Sequence, residues 1–295
     1  MKGKLQKQNL DMKEKNVREK TKKEKPKEKT GTDFIIGVFL SALVLIMALA
    51  SFFYTPYGYN DMDSAARFSP PQGEYLFGTD NFGRDVFSRI MEGSKYTLLV
   101  ALLTVAGSAL AGSSIGLLSG YAGGVADEII MRLMDTLSSF PGILLALLMV
   151  SLLGSGEGPL VAALLVLFVP SFVRIMRSGV LQYKGRDFVK TAELWGCPPA
   201  RLLFVHILPN LLSSLLSAVV LGLGNAILAE ATMSYLGLGI QPPLPSWGRM
   251  LAEYQAFLFN APWCALAPGI MIMLTVLAFH YLGEGIRRRY VRGQP

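Results

Sequence analysis

The sequence predicts an all-α integral membrane protein with six transmembrane helices, and three observations support that fold class. Of 295 residues, 52% are hydrophobic and only 17% are charged, and the mean hydropathy of +0.41 is high for a water-soluble domain. Six apolar runs approach the roughly 20 residues that a helix needs to cross a bilayer. No alternating pattern indicates a membrane barrel, so helices, which pair their own backbone groups, are expected.

The chain begins with a strongly polar tail, residues 1–30. Twelve Lys and Arg stand against five Asp and Glu there, which accounts for the net charge of +7. Because the tail has almost nothing to bury, we expect it to be disordered. The remaining basic residues form short clusters between apolar runs, a pattern that indicates membrane topology and not nucleic-acid binding.

The six apolar runs follow one another along the rest of the chain. Four of them carry no formal charge when histidine is neutral, and they cover residues 34–54, 96–119, 207–229 and 263–283. The third run, 133–153, contains Asp135, and the fourth, 159–179, contains Arg174 and Arg177. Glycines recur every four residues at Gly112, Gly116, Gly120 and Gly124, which predicts close helix packing.

The distribution of Lys and Arg predicts the orientation of these spans. The basic tail, the loop 184–201 and the C-terminal arginines at 287, 288, 289 and 292 would all lie on one side after six crossings. Because basic residues near span ends stay inside, both termini are predicted to be cytoplasmic.

The predicted division of the chain is a tail at 1–30, a first span with an outer segment at 31–95, and a core transmembrane domain at 96–295 that contains a cytoplasmic loop at 184–206.

The stretch between the fourth and fifth spans, 185–210, does not have the pattern of a simple connector. Phe188, Ala192 and Trp195 fall on one helical face, and Gly196 interrupts the helix. Two prolines then suit the first turn of a second helix. The pattern predicts two short helices that meet at a glycine. Such an amphipathic pair either lies on the membrane surface or docks into a groove of a partner.

This stretch resembles the cytoplasmic signature loop of ABC importer permeases, in which Glu-Ala-Ala is followed by a glycine and, further on, by Ile-Leu-Pro. Here Lys190, Thr191, Ala192 and Gly196 take the first positions, and residues 206–210 take the last. A lysine thus stands where glutamate is usual, and a threonine replaces the first alanine. The resemblance implies a loop that inserts into an ATPase subunit, with the coupling residues Arg186, Phe188, Lys190, Thr191, Ala192, Trp195, Gly196 and Arg201.

Other motifs narrow the resemblance to the peptide and nickel importers. Gly-Thr-Asp-Asn-Phe-Gly-Arg-Asp at 78–85 is similar to an element ahead of the second span in that group. Residues 227–231, 236–239 and 241–248 resemble the end of its fifth span and the outer loop that follows. The resemblance covers roughly residues 75–289. It implies the type I ABC importer permease fold and, because the outer segment after the first span is short, the C-type subunit of the pair.

The resemblance also implies a function and partners. The chain would form half of the translocation pathway of a bacterial cell-membrane importer for dipeptides, oligopeptides, nickel or metal complexes. Its expected partners are the lipid bilayer, a second permease subunit, two ABC ATPase subunits and an extracytoplasmic solute-binding protein. ATP and Mg would bind to the ATPase subunits, and no cofactor is expected on this chain.

Enzyme chemistry is not expected of the chain itself. Its one Gly-Lys dipeptide lies in the polar tail and does not form a Walker A phosphate loop. The alternative class is an intramembrane enzyme such as a protease, which would need a nucleophile with a base or a cluster of metal ligands. His206 and His280 have no partner at ligand spacing, so we predict no catalytic and no metal-binding residue.

Three charged sites remain to be interpreted. Glu230 interrupts an uncharged stretch, and both a role in the pathway or gate and an interfacial anchor that extends to the membrane surface are open. Asp135 is expected to pair with Arg132, three residues earlier on the same helical face. The cluster at 80–85 is expected to cap and brace the helix that leads into the second span, and 241–248 is expected to be non-helical because of its prolines.

Overall fold

The computed structural model describes residues 30–292 and the side chains of residues 32–289. Residues 1–29 of the predicted disordered tail lie outside the described residues. The described chain is built from helices and contains no β-strand, only two isolated bridges. The helices in chain order are α1 (Thr30–Ala50), α2 (Val86–Ala122), α3 (Gly124–Ser139), α4 (Gly142–Leu153), α5 (Glu157–Lys184), α6 (Asp187–Leu194), α7 (Pro199–Tyr235), α8 (Trp247–Tyr254) and α9 (Pro262–Arg292).

Five of the described helices, α1, α2, α5, α7 and α9, are long and apolar enough to cross a membrane. The bent pair of α3 and α4 makes a sixth span if it is counted as one. The prediction of an all-α membrane protein is therefore confirmed. In space α1 packs on α9, α9 on α7, α7 on α2, and α2 on α5, so that α2 and α7 lie at the centre.

The third span is not the single helix that the sequence predicts. Its two halves, α3 and α4, meet at an angle of 91°. Proline disfavours a helical conformation in the residue before it, and Phe140, which precedes Pro141, has the extended angles φ −77° and ψ 138°. At 1.5 Å per residue α4 is about 18 Å long, which is shorter than the ~30 Å hydrocarbon core.

The second span begins earlier than predicted. Asp85 caps α2, and its carboxylate accepts a hydrogen bond of 2.8 Å from the backbone N–H of Ser88. A side-chain acceptor at this position satisfies a backbone donor that has no partner inside the helix. The expected cap is therefore confirmed. Helix α2 then runs without interruption across residue 95, where we predicted from the sequence that the first segment, 31–95, ends and the core domain, 96–295, begins.

Three of the four spaced glycines make the close contact that their spacing predicts. A Cβ on Gly112, Gly116 or Gly120 would lie between 2.5 and 3.0 Å from its nearest atom in α5. Gly124, in contrast, lies beyond the end of α2, and no atom would lie within 4 Å of its Cβ. The glycines bring α2 and α5 together because the two backbones can approach where side chains are missing.

The segment between α7 and α9, residues 236–261, holds a helix that was not predicted from the sequence. Residues 241–246 are non-helical as expected, but α8 begins at Trp247, so the expectation is wrong for 247 and 248. Ser246 caps α8 and accepts a hydrogen bond from the backbone N–H of Arg249. The indole N–H of Trp247 donates to the carbonyl of Ile90 at 3.1 Å, which fixes α8 against α2.

Candidate functional site

The loop between α5 and α7 begins with a compact turn. Helix α5 ends at Lys184, and the backbone N–H of Arg186 donates to the carbonyl of Tyr183 at 2.9 Å. Lys184 reaches back across the bundle, where its ammonium donates to the carbonyl of Tyr121 at 2.9 Å. A cation near the last carbonyls of α2 is favourable because that helix end carries partial negative charge. The C-terminal ends of α2 and α5 are thus joined directly before the loop.

Helix α6 ends in a Schellman motif at the predicted glycine. The backbone N–H of Gly196 donates to the carbonyl of Glu193, and that of Cys197 donates to the carbonyl of Ala192. Gly196 has φ +74°, a left-handed conformation in which a side chain would be strained. The glycine therefore sets the direction in which the chain leaves α6.

The second half of the loop is not the separate short helix that the sequence predicts. It starts at Pro199 and continues as the first turns of α7. Residues Leu202–Ile207 form a π-helical segment, in which the backbone N–H of Leu208 donates to the carbonyl of Leu203 five residues earlier. Pro209 follows and has no N–H to offer the regular helix, so the wider turn accommodates it. The loop is therefore one helix, a glycine turn and the start of a span.

The loop is anchored by apolar side chains on its inner face. Val189 of α6 is fully buried, as are Leu202 and Ile207 in the first turns of α7. They form one core cluster with residues of α2 and α5, and Ala192 and Cys197 pack against it. Movement of α6 would therefore be transmitted to three spans, because the cluster shares their side chains.

The opposite side of the loop carries the other residues of the predicted coupling set. Trp195 and the adjacent Leu194 are each 87% exposed, and Phe188 is partly exposed with its ring 6.4 Å from that of Tyr183. The predicted common face is wrong in one respect, because Ala192 points into the core cluster while Phe188 and Trp195 do not. The exposed members of the set are polar as well as apolar, and they comprise Arg186, Phe188, Lys190, Thr191, Trp195, Gly196 and Arg201.

The acidic residues of α3 pair with α5, which corrects the expectation for Asp135. Its carboxylate lies 3.0 Å from the guanidinium of Arg174, whereas Arg132 pairs with Glu128 at 2.6 Å. Arg177 makes a two-pronged ion pair with Asp127 at 2.6 and 2.5 Å. The acidic residues pair with arginines of α5 because the bend after α3 places α3 across that part of α5.

Glu230 is enclosed within the protein and does not extend to the membrane surface. Its side chain is fully buried, and the hydroxyl of Ser234 donates to it at 2.6 Å. The hydroxyls of Thr97 in α2 and Ser246 before α8 also lie beside the carboxylate. The interfacial-anchor alternative is therefore wrong, since an anchor needs access to the surface. The carboxylate lies where α7, α2 and the segment between α7 and α9 meet.

Charged side chains brace the end of the bundle opposite the loop. Arg84 forms an ion pair with Asp80 at 2.7 Å, and the phenol of Tyr254 donates to the same carboxylate at 3.0 Å. Glu253 of α8 pairs with Arg89 of α2 at 2.9 Å. The expected bracing role of the cluster at 80–85 is confirmed, and α8 supplies the partners that the sequence analysis did not predict.

A cavity of about 390 Å³ lies between α5 and α7. Several polar side chains of the two spans line it, namely Ser171, Ser214, Ser217 and Asn225. This group was not predicted from the sequence, although the amide of Asn225 in the middle of an apolar run was a signal. Elsewhere, within residues 32–289, no three His, Cys, Asp or Glu side chains are grouped as a metal site would require.

Comparisons with known proteins agree with the motifs. Residues 112–292 match the family described as binding-protein-dependent transport system inner membrane component. The dipeptide transport system permease protein DppC of Alkalihalophilus pseudofirmus is 38% identical over 253 residues, which cover 86% of this chain and 83% of the relative. The glutathione transport system permease protein GsiD of Pectobacterium atrosepticum is 39% identical over 253 residues, with coverage of 85% and 83%. DppC of Haemophilus influenzae is 36% identical over 259 residues, with coverage of 86% and 88%.

Proposed function

Because this chain belongs to the family of binding-protein-dependent transport system inner membrane components, we propose that it forms half of the translocation pathway of an importer of short peptides. The chain is a multi-pass permease subunit of an ABC importer and not an enzyme, and partner subunits hydrolyse the ATP. The protease alternative finds no support among relatives that are named as transport permeases.

Short peptides are the proposed solutes. The relatives described above are named for dipeptides and for glutathione, which is itself a small peptide. These names favour peptides over nickel or metal complexes. The proposed assembly contains a second permease chain, two ATPase chains and an external solute-binding protein in the bacterial inner membrane, with both termini of this chain in the cytoplasm.

The loop from Arg186 to Arg201 is the proposed coupling element. The observation that carries this proposal is the exposure of Leu194 and Trp195, 87% each, on a helix whose other face is locked into the core cluster of three spans. Two adjacent large apolar side chains at such exposure form a patch that a partner can cover. Closure of the ATPases would pull on this loop and convert an inward-open pathway into an outward-open one. Lys190, in the position of the usual glutamate, is exposed and free to meet a partner.

Glu230 is proposed as a gating residue and not as part of the pathway wall. Its carboxylate does not line the cavity between α5 and α7. It lies beside hydroxyls of α2 and of the segment before α8, so movement between these elements would change its hydrogen bonds. We propose residues 96–295, which contain most of α2 and all of α7 and α8, as the permease domain.

Co-purification tests the coupling proposal. The chain would be co-expressed with its second permease and the two ATPases, and Trp195→Ala would be compared with the parent. Trp195 makes few contacts within the chain, so the variant should fold normally and yet lose most of the bound ATPase. A loss of about tenfold or more in affinity is expected from a hot-spot aromatic residue. Phe259→Ala is the matched control, because Phe259 is 98% exposed and lies in the segment between α7 and α9, far from the loop.

Three outcomes separate the possibilities. Loss of ATPase in Trp195→Ala alone supports the coupling loop. Equal retention in both variants contradicts the assignment of Trp195 to the interface. If neither the parent nor the variants bind an ATPase, the proposed importer itself fails.

A further inference from the structure

Asn225 is a polar residue in a membrane-embedded position without a partner. It precedes Tyr235, the end of α7, by ten residues, which is about 15 Å and half of the ~30 Å hydrocarbon core. Its side chain is exposed and makes no hydrogen bond to any described residue. An amide facing lipid would lose its hydrogen bonds to water, a cost of roughly 2–7 kcal/mol. This face of α7 must therefore meet something polar in the assembled transporter.

The hydroxyls near Asn225 show the same feature. Ser217 and Thr232 of α7 satisfy their hydroxyls within the helix, because each donates to the carbonyl four residues earlier, at 2.9 and 2.8 Å. Ser214 of α7 and Ser171 of α5 make no such bond within the described chain. Those two serines and Asn225 line the same cavity. Unsatisfied donors and acceptors thus converge from two spans on one space.

The polar side chains that line the cavity are mostly uncharged and can form hydrogen bonds. Its one formally charged lining residue, Arg287, is paired with Glu284 at 2.7 Å. The two hydroxyls and the amide each donate and accept hydrogen bonds, which matches the C=O and N–H groups of a peptide bond. A volume of about 390 Å³ is within the range of small-ligand sites, roughly 300–1,000 Å³. Such a wall would contact main-chain amides without selecting particular side chains.

We propose that Ser171, Ser214 and Asn225 form the solute-contacting wall of the translocation pathway and hydrogen-bond to the amide groups of the passing peptide. The inference rests on the proposed function, since it names where in the membrane the solute is met. Asn225 is the central contact because it has the largest hydrogen-bonding capacity of the three and lies near mid-membrane.

Cysteine accessibility in the complete transporter tests the inference. Asn225→Cys would be introduced into a chain with Cys197→Ser and Cys264→Ala, assembled with its partners and reconstituted into liposomes. A charged, membrane-impermeant methanethiosulfonate should label the new cysteine from water. The labelling rate should change at least about threefold between nucleotide-free and vanadate-trapped states, and alanylalanine should slow it. Leu216→Cys is the control, because Leu216 is 46% exposed on the opposite side of the same helix, where lipid is expected.

Uptake gives an independent measurement. Asn225→Leu should reduce alanylalanine uptake about tenfold, the value of one lost hydrogen bond of about 1.4 kcal/mol. Asn225→Gln keeps the amide and should recover most of the uptake. If Asn225→Leu transports at the parental rate, the inference is overturned.

The failures of the two proposals can be distinguished. Absence of labelling at Asn225→Cys in every nucleotide state, with ATP hydrolysis still stimulated by the binding protein, would overturn the pathway wall alone. In that case the face of α7 packs against the second permease. If no ATPase assembles with the parental chain, the proposed function fails, and the inference fails with it.

Discussion

At the scale of single residues, the arginines in the C-terminal half of α5 show how a membrane protein keeps charge close to lipid. Arg177 and Arg174 each bond to a carboxylate of α3, Asp127 and Asp135 respectively. The first pair is largely enclosed, and Ser119 adds a hydrogen bond to its carboxylate. The second pair is more exposed. Burial decides which of the two matters for stability, because water screens exposed ion pairs.

The enclosed pair gives a prediction at this scale. Asp127→Ala leaves Arg177 without its partner and should lower the free energy of unfolding by about 1–3 kcal/mol. Thermal unfolding in detergent measures this loss. Arg132→Ala on the same helix is the control, since its pair with Glu128 is exposed and worth at most about 0.5 kcal/mol. Equal melting temperatures for the two variants would contradict the structural role of Asp127.

At the scale of elements, the contact between α2 and α5 depends on missing side chains. Gly116 lies against the backbone of α5, and a Cβ there would be 2.5 Å from the carbonyl oxygen of Val173. No flexible side chain can move to relieve such a clash with backbone. The glycines therefore set the separation of the two helices, as the four-residue spacing of the glycines indicates.

Gly116→Ala should accordingly force the helices apart and destabilise the protein by about 1–3 kcal/mol. The control is Gly158→Ala in the first turn of α5, where no atom would lie within 4 Å of the new Cβ. That change should be neutral or stabilising, by up to about 1 kcal/mol, because glycine is a poor helix former. Detergent melting curves would compare the two, and an unchanged Gly116→Ala protein would refute the close contact.

At the scale of the whole molecule, the loop that we propose couples to the ATPases and the spans around it pack together as one unit. The cluster beneath the loop contains side chains of α2, α5, α6 and α7. At the other end, α8 is tied to α2 by Arg89–Glu253 and by the Trp247 indole. Because α2 and α7 contact both the loop and the segment between α7 and α9, we expect displacement of the loop to be transmitted to that segment.

The orientation of this unit gives a further prediction. Native Cys197 lies in the loop and should react with a charged maleimide only in inverted vesicles. Gly73→Cys, introduced into a chain with Cys197→Ser and Cys264→Ala and lying in open space between α1 and α2, should react only in right-side-out vesicles. The physical reason is the positive-inside bias of the loop and both termini. Labelling of Cys197 in right-side-out vesicles would reverse the predicted topology.

The sequence by itself determined the class of fold and the family. Hydrophobic length and the positions of Lys and Arg act locally, and the signature motifs are contiguous, so each can be recognised without knowing what lies across the bundle. The glycine turn at 196 and the helix cap at Asp85 belong to the same group, because backbone geometry and capping involve only near neighbours.

Only the tertiary structure decided which distant groups meet. Asp135 has a candidate partner three residues away, yet the bend at Pro141 brings it to Arg174 instead. The sequence predicts that Glu230 lies near the end of a span, but α2 and the segment between α7 and α9 pack around it and enclose it. Asn225 shares a cavity with Ser171 only because α5 lies against α7. Such contacts depend on how rigid helices cross in space, and a linear pattern contains periodicity and spacing but no crossing geometry.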